Sequence, residues 1–170
     1  MSTENLQHQE AIQKLREMVD KIDIGMLCSF VSQSDYPHAV PMSRQEADGQ
    51  GNIWFLFSAE SETCRNILKN NKVSLLYGHP GDYNFLSING IAEISQDQSR
   101  IDKYWNKMME GWFEKGKEDP RIRVLKVIPH EAHYWDNKYN KLMTVLKVAA
   151  SAVSGAKMDI GREGELNIGG

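Results

Sequence analysis

Cysteine is nearly missing from this chain. Cys28 and Cys64 are the only two among 170 residues, and no Cys-x-x-Cys spacing joins them. That argues against a disulfide framework or a cysteine knuckle for zinc, and marks both as reduced, packed thiols of a cytoplasmic protein. Blocks of basic charge are missing too. The 20 basic and 23 acidic side chains leave a net charge of -3, which offers no footprint for nucleic acid or an anionic membrane. No apolar run is long enough to span a bilayer, and the longest near the C-terminus, residues 145–153, holds Lys147 and Ser151. The start of the chain is polar and lacks the apolar centre of a secretory signal. No Gly-Lys-Ser/Thr phosphate loop occurs, not even in the glycine-rich tail of residues 161–170. Internal repeats and low-complexity tracts are also lacking. What remains is an ordinary globular composition, 41% hydrophobic and 25% charged, expected to fold as a single domain over residues 1–170.

Periodicity divides that domain into elements. Ile12, Leu15, Met18, Val19 and Ile22 recur at helical spacing and predict a helix over about residues 4–21, broken at Gly25. Residues 26–32 form a short apolar run suited to a buried strand. A turn at Ser34-Asp35 leads into a strand over 36–45, and Asp48-Gly49-Gln50-Gly51 signals a hairpin before a strand over 53–58. Ser61 caps a helix with Cys64, Ile67 and Leu68 on its apolar face, ended by Asn70-Asn71 in a left-handed conformation. Strands follow over 73–77 and 83–94, turned at Gly78-His79-Pro80-Gly81, with Gly90 marking a bulge. Ile101, Tyr104, Trp105, Met108, Trp112 and Phe113 share a helical face and predict a second long helix over about 98–113. A loop over 116–120 precedes a strand over 122–128 closed by Pro129, with His133-Tyr134-Trp135 extended beyond it. Leu142, Val145, Leu146, Ala149 and Val153 predict a third helix, and residues 165–168 a short terminal strand. Hairpin-joined strands with few helices point to a mainly β fold, an antiparallel barrel or sandwich with peripheral helices.

The stretch from Tyr36 to Ile67 carries most of the functional signal. It places a strand, a hairpin, a second strand and a helix N-terminus in tight order. A helix N-terminus offers free backbone N–H groups and a positive dipole end, which suit a phosphate. Pro41 leaves an irregular strand edge where a flat ligand can lie. The alternative for Ser61 and Thr63 is an ordinary N-cap and a first-turn hydroxyl. His38 is placed in the site by location rather than by a chemical role: it could donate to a flat ligand, or ligate iron if that ligand is heme, and the alternative is a half-exposed strand histidine. Trp105 and Trp112 either wall a flat cofactor or pack a core or dimer face. His130 and His133 have metal-like spacing but no third ligand nearby, so no metal is expected.

These residues resemble a known family. Tyr36-Pro-His-Ala-Val-Pro-Met42, the Asp48-Gly49 hairpin, Ile53-Trp54-Phe55, the capped helix at Ser61 and Val73-Ser-Leu-Leu-Tyr77 are similar to the pyridoxamine 5'-phosphate oxidase-like, FMN-binding split-barrel family. The likeness is strongest to its general stress protein branch. Trp105, Gly111-Trp112-Phe113, Gly116, Asp119-Pro120, Val127-Ile128-Pro129 and Tyr134-Trp135-Asp136 continue it. It covers a core of about residues 12–136, and residues 139–170 look like the helical extension of one bacterial subgroup.

The resemblance implies a six-stranded antiparallel split β-barrel with peripheral α-helices, forming a homodimer with FMN at the subunit interface. It implies that the backbone of Val40-Pro41-Met42, near His38, runs beside the isoalloxazine. Ser58, Ser61 and Thr63 would hold the phosphate, and Trp112 would approach the flavin from the partner subunit. Two departures stand out. Thr63 occupies the position where the family usually has a phosphate-binding lysine, with Glu60 and Glu62 flanking it and Arg65 and Arg44 near in sequence. Asp136-Asn-Lys-Tyr-Asn-Lys141 replaces the basic substrate motif of true pyridoxamine phosphate oxidases, so that activity is not expected. The expected function is that of a stress-related FMN oxidoreductase. The alternative is a binding protein that carries flavin, heme or another flat ligand without turnover.

Overall fold

The computed structural model describes residues 2–31, 34–137 and 161–168. The chain opens with two short bridges, β1 (Ser2–Thr3) and β2 (Leu6–Gln7), before helix α1 (His8–Lys21). Strands β3 (Ile24–Phe30), β4 (Pro37–Ser43), β5 (Glu46–Ala47) and β6 (Ile53–Ser58) lead to helix α2 (Glu62–Lys69). Then come β7 (Lys72–His79), β8 (Asn84–Ser95), α3 (Gln98–Tyr104), β9 (Ile122–Asn137) and β10 (Gly161–Asn167).

Six long strands carry the fold, antiparallel throughout, in the order β6–β9–β8–β7–β3–β4. β10 joins the outer half of β9, and β1 and β2 add to β10 in parallel. The two ends of the six-strand path meet at the hydrogen bond from Gln45 N to Trp54 O, 2.8 Å. Among the described residues β4 and β6 do not otherwise pair, so the barrel is split along the outer edge of β4.

Alternation explains which side of each strand is buried. Leu27, Phe55, Leu75, Ile88 and Leu125 point into the barrel and are fully buried, and α1 closes it with Leu15, Met18 and Val19. Strand β6 is covered on both faces. Ile53, Phe55 and Phe57 enter the main core, while Trp54 and Leu56 pack in a second cluster with Ile101, Tyr104 and Phe113. That is why its sequence reads as an unbroken apolar run.

Several expected boundaries move, each for a local reason. Helix α1 starts at His8 rather than near residue 4, because Glu4 is held by β10 and β9: its N–H donates to Glu163 O at 2.8 Å and its carbonyl accepts from Tyr134 Oη at 2.8 Å. The helix expected over 98–113 stops at Tyr104. Trp105 turns out at ψ 128, and Asn106 opens a separate 3-10 turn, Lys107–Gly111, by accepting from Met108 N at 3.0 Å. Leu68 is exposed, and α2 buries Thr63 and Asn66 beside Cys64 and Ile67 instead. Asn70 ends α2 in an extended conformation, φ -144, not a left-handed one. Pro129 does not close its strand. It sits inside the continuous β9 opposite Gly90, where the register slips and no proline N–H is required. A Cβ on Gly90 would meet Ile128 O at 2.2 Å, so the expected bulge accounts for that glycine. The terminal strand runs from Gly161, earlier than expected, while the helix predicted over 142–153 lies outside the described residues.

Candidate functional site

The β6–α2 turn is the best-formed feature of the predicted site. Ser61 Oγ accepts from Cys64 N at 3.1 Å and donates to Ser58 O at 2.7 Å, while Ser58 Oγ accepts from Glu60 N at 3.2 Å. Each serine thus holds its own turn. Cys64 N is taken by the cap and Arg65 N by Ser61 O at 3.3 Å. The N–H groups of Glu62 and Thr63 remain as first-turn donors without a partner among the described residues. The Thr63 side chain is buried, so it packs inward rather than standing in the mouth of the turn.

Strand β4 reaches the same corner. The His38 ring lies half-buried with Nδ1 3.8 Å from Glu62 Oε2. Hydrogen bonding along β4 has a consequence for the ring-binding residues. Arg44 N donates to Asp23 O at 3.1 Å, and the β3–β4 register continues unbroken from Ser43 to Pro37. Even-numbered residues therefore direct their backbone to β3, and odd-numbered residues direct theirs to the open edge. The Val40 and Met42 side chains pack on the barrel core and their backbone is spent on β3. Of the Val40-Pro41-Met42 triplet, only Pro41 turns its carbonyl to the free edge. Ala39 offers an N–H and a carbonyl beside it. Prolines at 37 and 41 remove two N–H groups, which leaves this edge rich in acceptors and poorly suited to pairing with another strand.

Charge around the turn is closely balanced. Arg65 donates to Glu60 O at 2.6 Å, and Arg121 Nη1 lies 3.8 Å from Glu60 Oε2. Arg121 also makes a fork on Asp119, 3.0 and 2.8 Å, which holds that carboxyl well below the usual range. Burial pushes the Cys64 thiol up, against the pull of Arg123 and Arg65, and Arg123 itself donates to Pro120 O and Ile122 O at 2.8 Å each. Arg44 is not part of this corner. It is spent on the end of α1, on Val19 O at 3.1 Å and Asp20 O at 3.3 Å. The two free N–H groups, the hydroxyl proton of Ser58, uncommitted among the described residues, and the positive charge of Arg65 and Arg121 suit a phosphate, with Glu60 and Glu62 opposing it.

The remaining predicted residues lie elsewhere. Trp112 is 81% exposed at the end of the 3-10 turn, and Phe113 beside it packs on the second cluster. Within one chain, then, the structure brings His38 to α2 but leaves Trp112 outside that corner. His130 and His133 line a polar groove of about 440 Å³ with Glu131, Glu165, Asn89 and Ser87, at the β8–β9–β10 end of the sheet, three or more strands from β4. Among the described residues no group of three metal-ligating side chains forms. Sequence reading missed the Ser29–Asn66 hydrogen bond, 3.2 Å, which ties α2 to β3. A polar side chain falling between Cys64 and Ile67 on a buried helix face was the available signal.

Comparison with known proteins agrees with this architecture. The model of the family described as pyridoxamine 5'-phosphate oxidase like matches residues 10–159. Protein bli-3 of Neurospora crassa is 28% identical over 133 residues, which cover 71% of this chain and 63% of that protein. A candidate general stress protein 26 from Jannaschia sp. CCS1 shares the fold at a TM-score of 0.78 and 19% identity, covering 93% of this chain and 98% of that one. The general stress FMN/FAD binding protein of Xanthomonas citri is 26% identical, with a TM-score of 0.64 over 77% of this chain and 92% of its own. No described helix is long and apolar enough to cross a membrane. With its split antiparallel barrel and a family match over most of its length, this chain belongs to the pyridoxamine 5'-phosphate oxidase-like family.

Proposed function

We propose that the chain is an FMN-binding flavoprotein of the cytoplasm, a homodimer that acts as a stress-related oxidoreductase. The observation that carries this is the meeting of a free strand edge and a capped helix start at one corner. His38 of β4 lies beside Glu62 of α2, and Pro41 is three residues along the strand from His38, about 10 Å. A ribityl chain can bridge that span. The ring would lie along Pro41, flanked by His38, Val40 and Met42, and the phosphate would sit against Ser58, Ser61 and the N–H groups of Glu62 and Thr63. Bound FMN supplies electron and hydride transfer; the protein orients and buries it.

A second copy is supported by the outer face of the sheet. Met26 and Leu76 stand opposite each other in register, with Ile24 and Phe85 nearby, and all four are 38–59% exposed. A row of this kind marks an association face. Trp112, exposed and unused by its own site, would complete the pocket of the partner subunit. Pyridoxamine phosphate oxidase activity is not expected. Asp136, where those enzymes begin their basic motif, is buried and committed to Lys14 and Arg162.

The test is titration of FMN into purified chain, followed by flavin fluorescence. Saturable quenching near one FMN per chain, with sedimentation at about twice 19.4 kDa, is the expected result. No quenching at high micromolar FMN overturns the proposal. Glu60 and Glu62 beside the phosphate position favour a second reading, a carrier of flavin or heme without turnover. Reduced, FMN-loaded protein that no electron acceptor reoxidises, or a Soret band on heme addition, would support it.

A further inference from the structure

The buried face of α2 is not uniformly apolar. Asn66 is 6% exposed, and its Nδ2 donates to Ser29 Oγ at 3.2 Å. Ser29 is fully buried on β3, directly opposite His38 in the β3–β4 register, and its hydroxyl lies 3.5 Å from His38 O. At the rim of the same corner His38 meets Glu62. Two links therefore join α2 to β4 one helical turn apart on the same face of the helix, one exposed at Glu62 and one buried, from Asn66 through Ser29 of β3. Burying an amide against a hydroxyl gains little net stability over an apolar pair of similar shape. What a directional bond adds is a single position for the helix along its groove, where a purely apolar contact would let it slide.

We infer that Asn66 is a positioning residue of the proposed flavin site, fixing the start of α2 relative to the free edge of β4. This rests on the flavin reading above. Through Ser29 the amide sets the span between the donors that would take the phosphate and the edge that would take the ring. A ligand touching both ends depends on that span, whereas one touching only β4 does not.

Titration of FMN and riboflavin into the wild type, Ser29→Ala, Asn66→Leu and the Ser29→Ala/Asn66→Leu double variant separates positioning from stability. The single variants are expected to melt earlier. The double variant removes both polar partners and should regain most of the lost melting temperature. It should still bind FMN roughly tenfold more weakly than the wild type, with riboflavin within about threefold. Ser29→Ala, the mildest change, should show the same FMN-selective loss and serves if Asn66→Leu does not fold. Recovery of FMN affinity together with stability would make Asn66 a packing residue only, and so would an equal loss for both ligands. A wild type that binds both ligands equally would show that α2 does not take the phosphate, which overturns this inference and leaves flavin binding standing. A wild type that binds neither overturns the flavin reading and this inference with it.

Discussion

Ser61 allows the helix cap and the ligand site to be taken apart. Its hydroxyl makes two hydrogen bonds within the turn, to Cys64 N and Ser58 O. Ser61→Ala loses both and should cost about 1 kcal/mol of stability, a fall in Tm of about 2–4 °C for a chain of this size. Ser61→Asp gives up the donation to Ser58 but keeps an N-cap acceptor that ranks with serine, so Tm should stay within about 2 °C of the wild type. The new carboxylate would join Glu60 and Glu62 at the mouth of the turn. At about 5 Å and an effective dielectric near 20, one unit charge repels another by about 3 kcal/mol. Screening at a half-exposed turn brings the expected penalty to about 1.5–3 kcal/mol, or roughly 10- to 150-fold weaker FMN binding. Riboflavin carries no phosphate and should bind Ser61→Asp within about threefold of the wild type. Fluorescence titration of both flavins at low and high salt is the assay, and the FMN penalty should shrink as salt rises. Undiminished FMN affinity in Ser61→Asp would refute the placement of the phosphate at α2. An equal loss for riboflavin would show that the substitution disturbed the turn rather than its charge.

Four further outcomes follow from the structure. Asp136 is buried between Lys14 and Arg162, and although burial opposes ionisation, the hydrogen bonds from Arg162 and Lys14 hold its carboxyl below the usual range. A lowered folded pKa gives stability that is present above the unfolded value, about 3.9, and lost as pH falls through the folded one. Asp136→Asn should therefore cost about 3 kcal/mol near neutral pH, about 6–12 °C in Tm, with the gap to the wild type closing below about pH 4; a gap that ignores pH would count against the ion pair. Gly25→Ala would place a Cβ 2.6 Å from the Tyr77 ring, itself buried, and should lower urea stability by about 1–3 kcal/mol; an unmoved midpoint would mean the ring gives way. Trp112→Ala should leave stability within about 0.5 kcal/mol while weakening FMN binding, and a larger loss in a melt would show that the indole packs within its own chain. Met26→Lys, on the exposed apolar row, should shift sedimentation from dimer to monomer at low micromolar concentration, and an unchanged dimer would place the interface elsewhere.

Strands were legible because their neighbours repeat a simple rule. The Asp48 turn reads directly from its residues: its carboxylate accepts from Gln50 N and Asn52 N at 2.9 Å each, and Gly51 takes φ +84. The bulge at Gly90 was legible for the same reason, since one glycine in a long β pattern marks a close backbone approach. Segments with two local options were read poorly. The six aromatic and aliphatic residues from Ile101 to Phe113 fit one helical stripe, yet Asn106 competes for the backbone and starts a new turn. Residues 4–7 fit the α1 pattern but are claimed by β10, a partner about 160 residues away in sequence that no local window contains.

The candidate site was legible only where it is local. Ser58, Ser61 and the helix start sit within a few residues of each other, and their hydrogen bonds close within that turn. The backbone direction of β4 follows from its register with β3, which is why Pro41 and Ala39 emerge as edge residues and Val40 and Met42 do not. Charge compensation proved even less local. Arg44 is near in sequence but its side chain bonds the end of α1, while Arg121 just before β9 and Arg123 within it arrive through the pairing of β9 with β6 at Ser58 and Phe57. Both guanidinium groups are engaged within the chain, Arg121 on Asp119 and near Glu60, and Arg123 on the carbonyls of Pro120 and Ile122. The electrostatics of the turn therefore depend on sheet pairing as well as on Glu60, Glu62 and Arg65 within the turn itself.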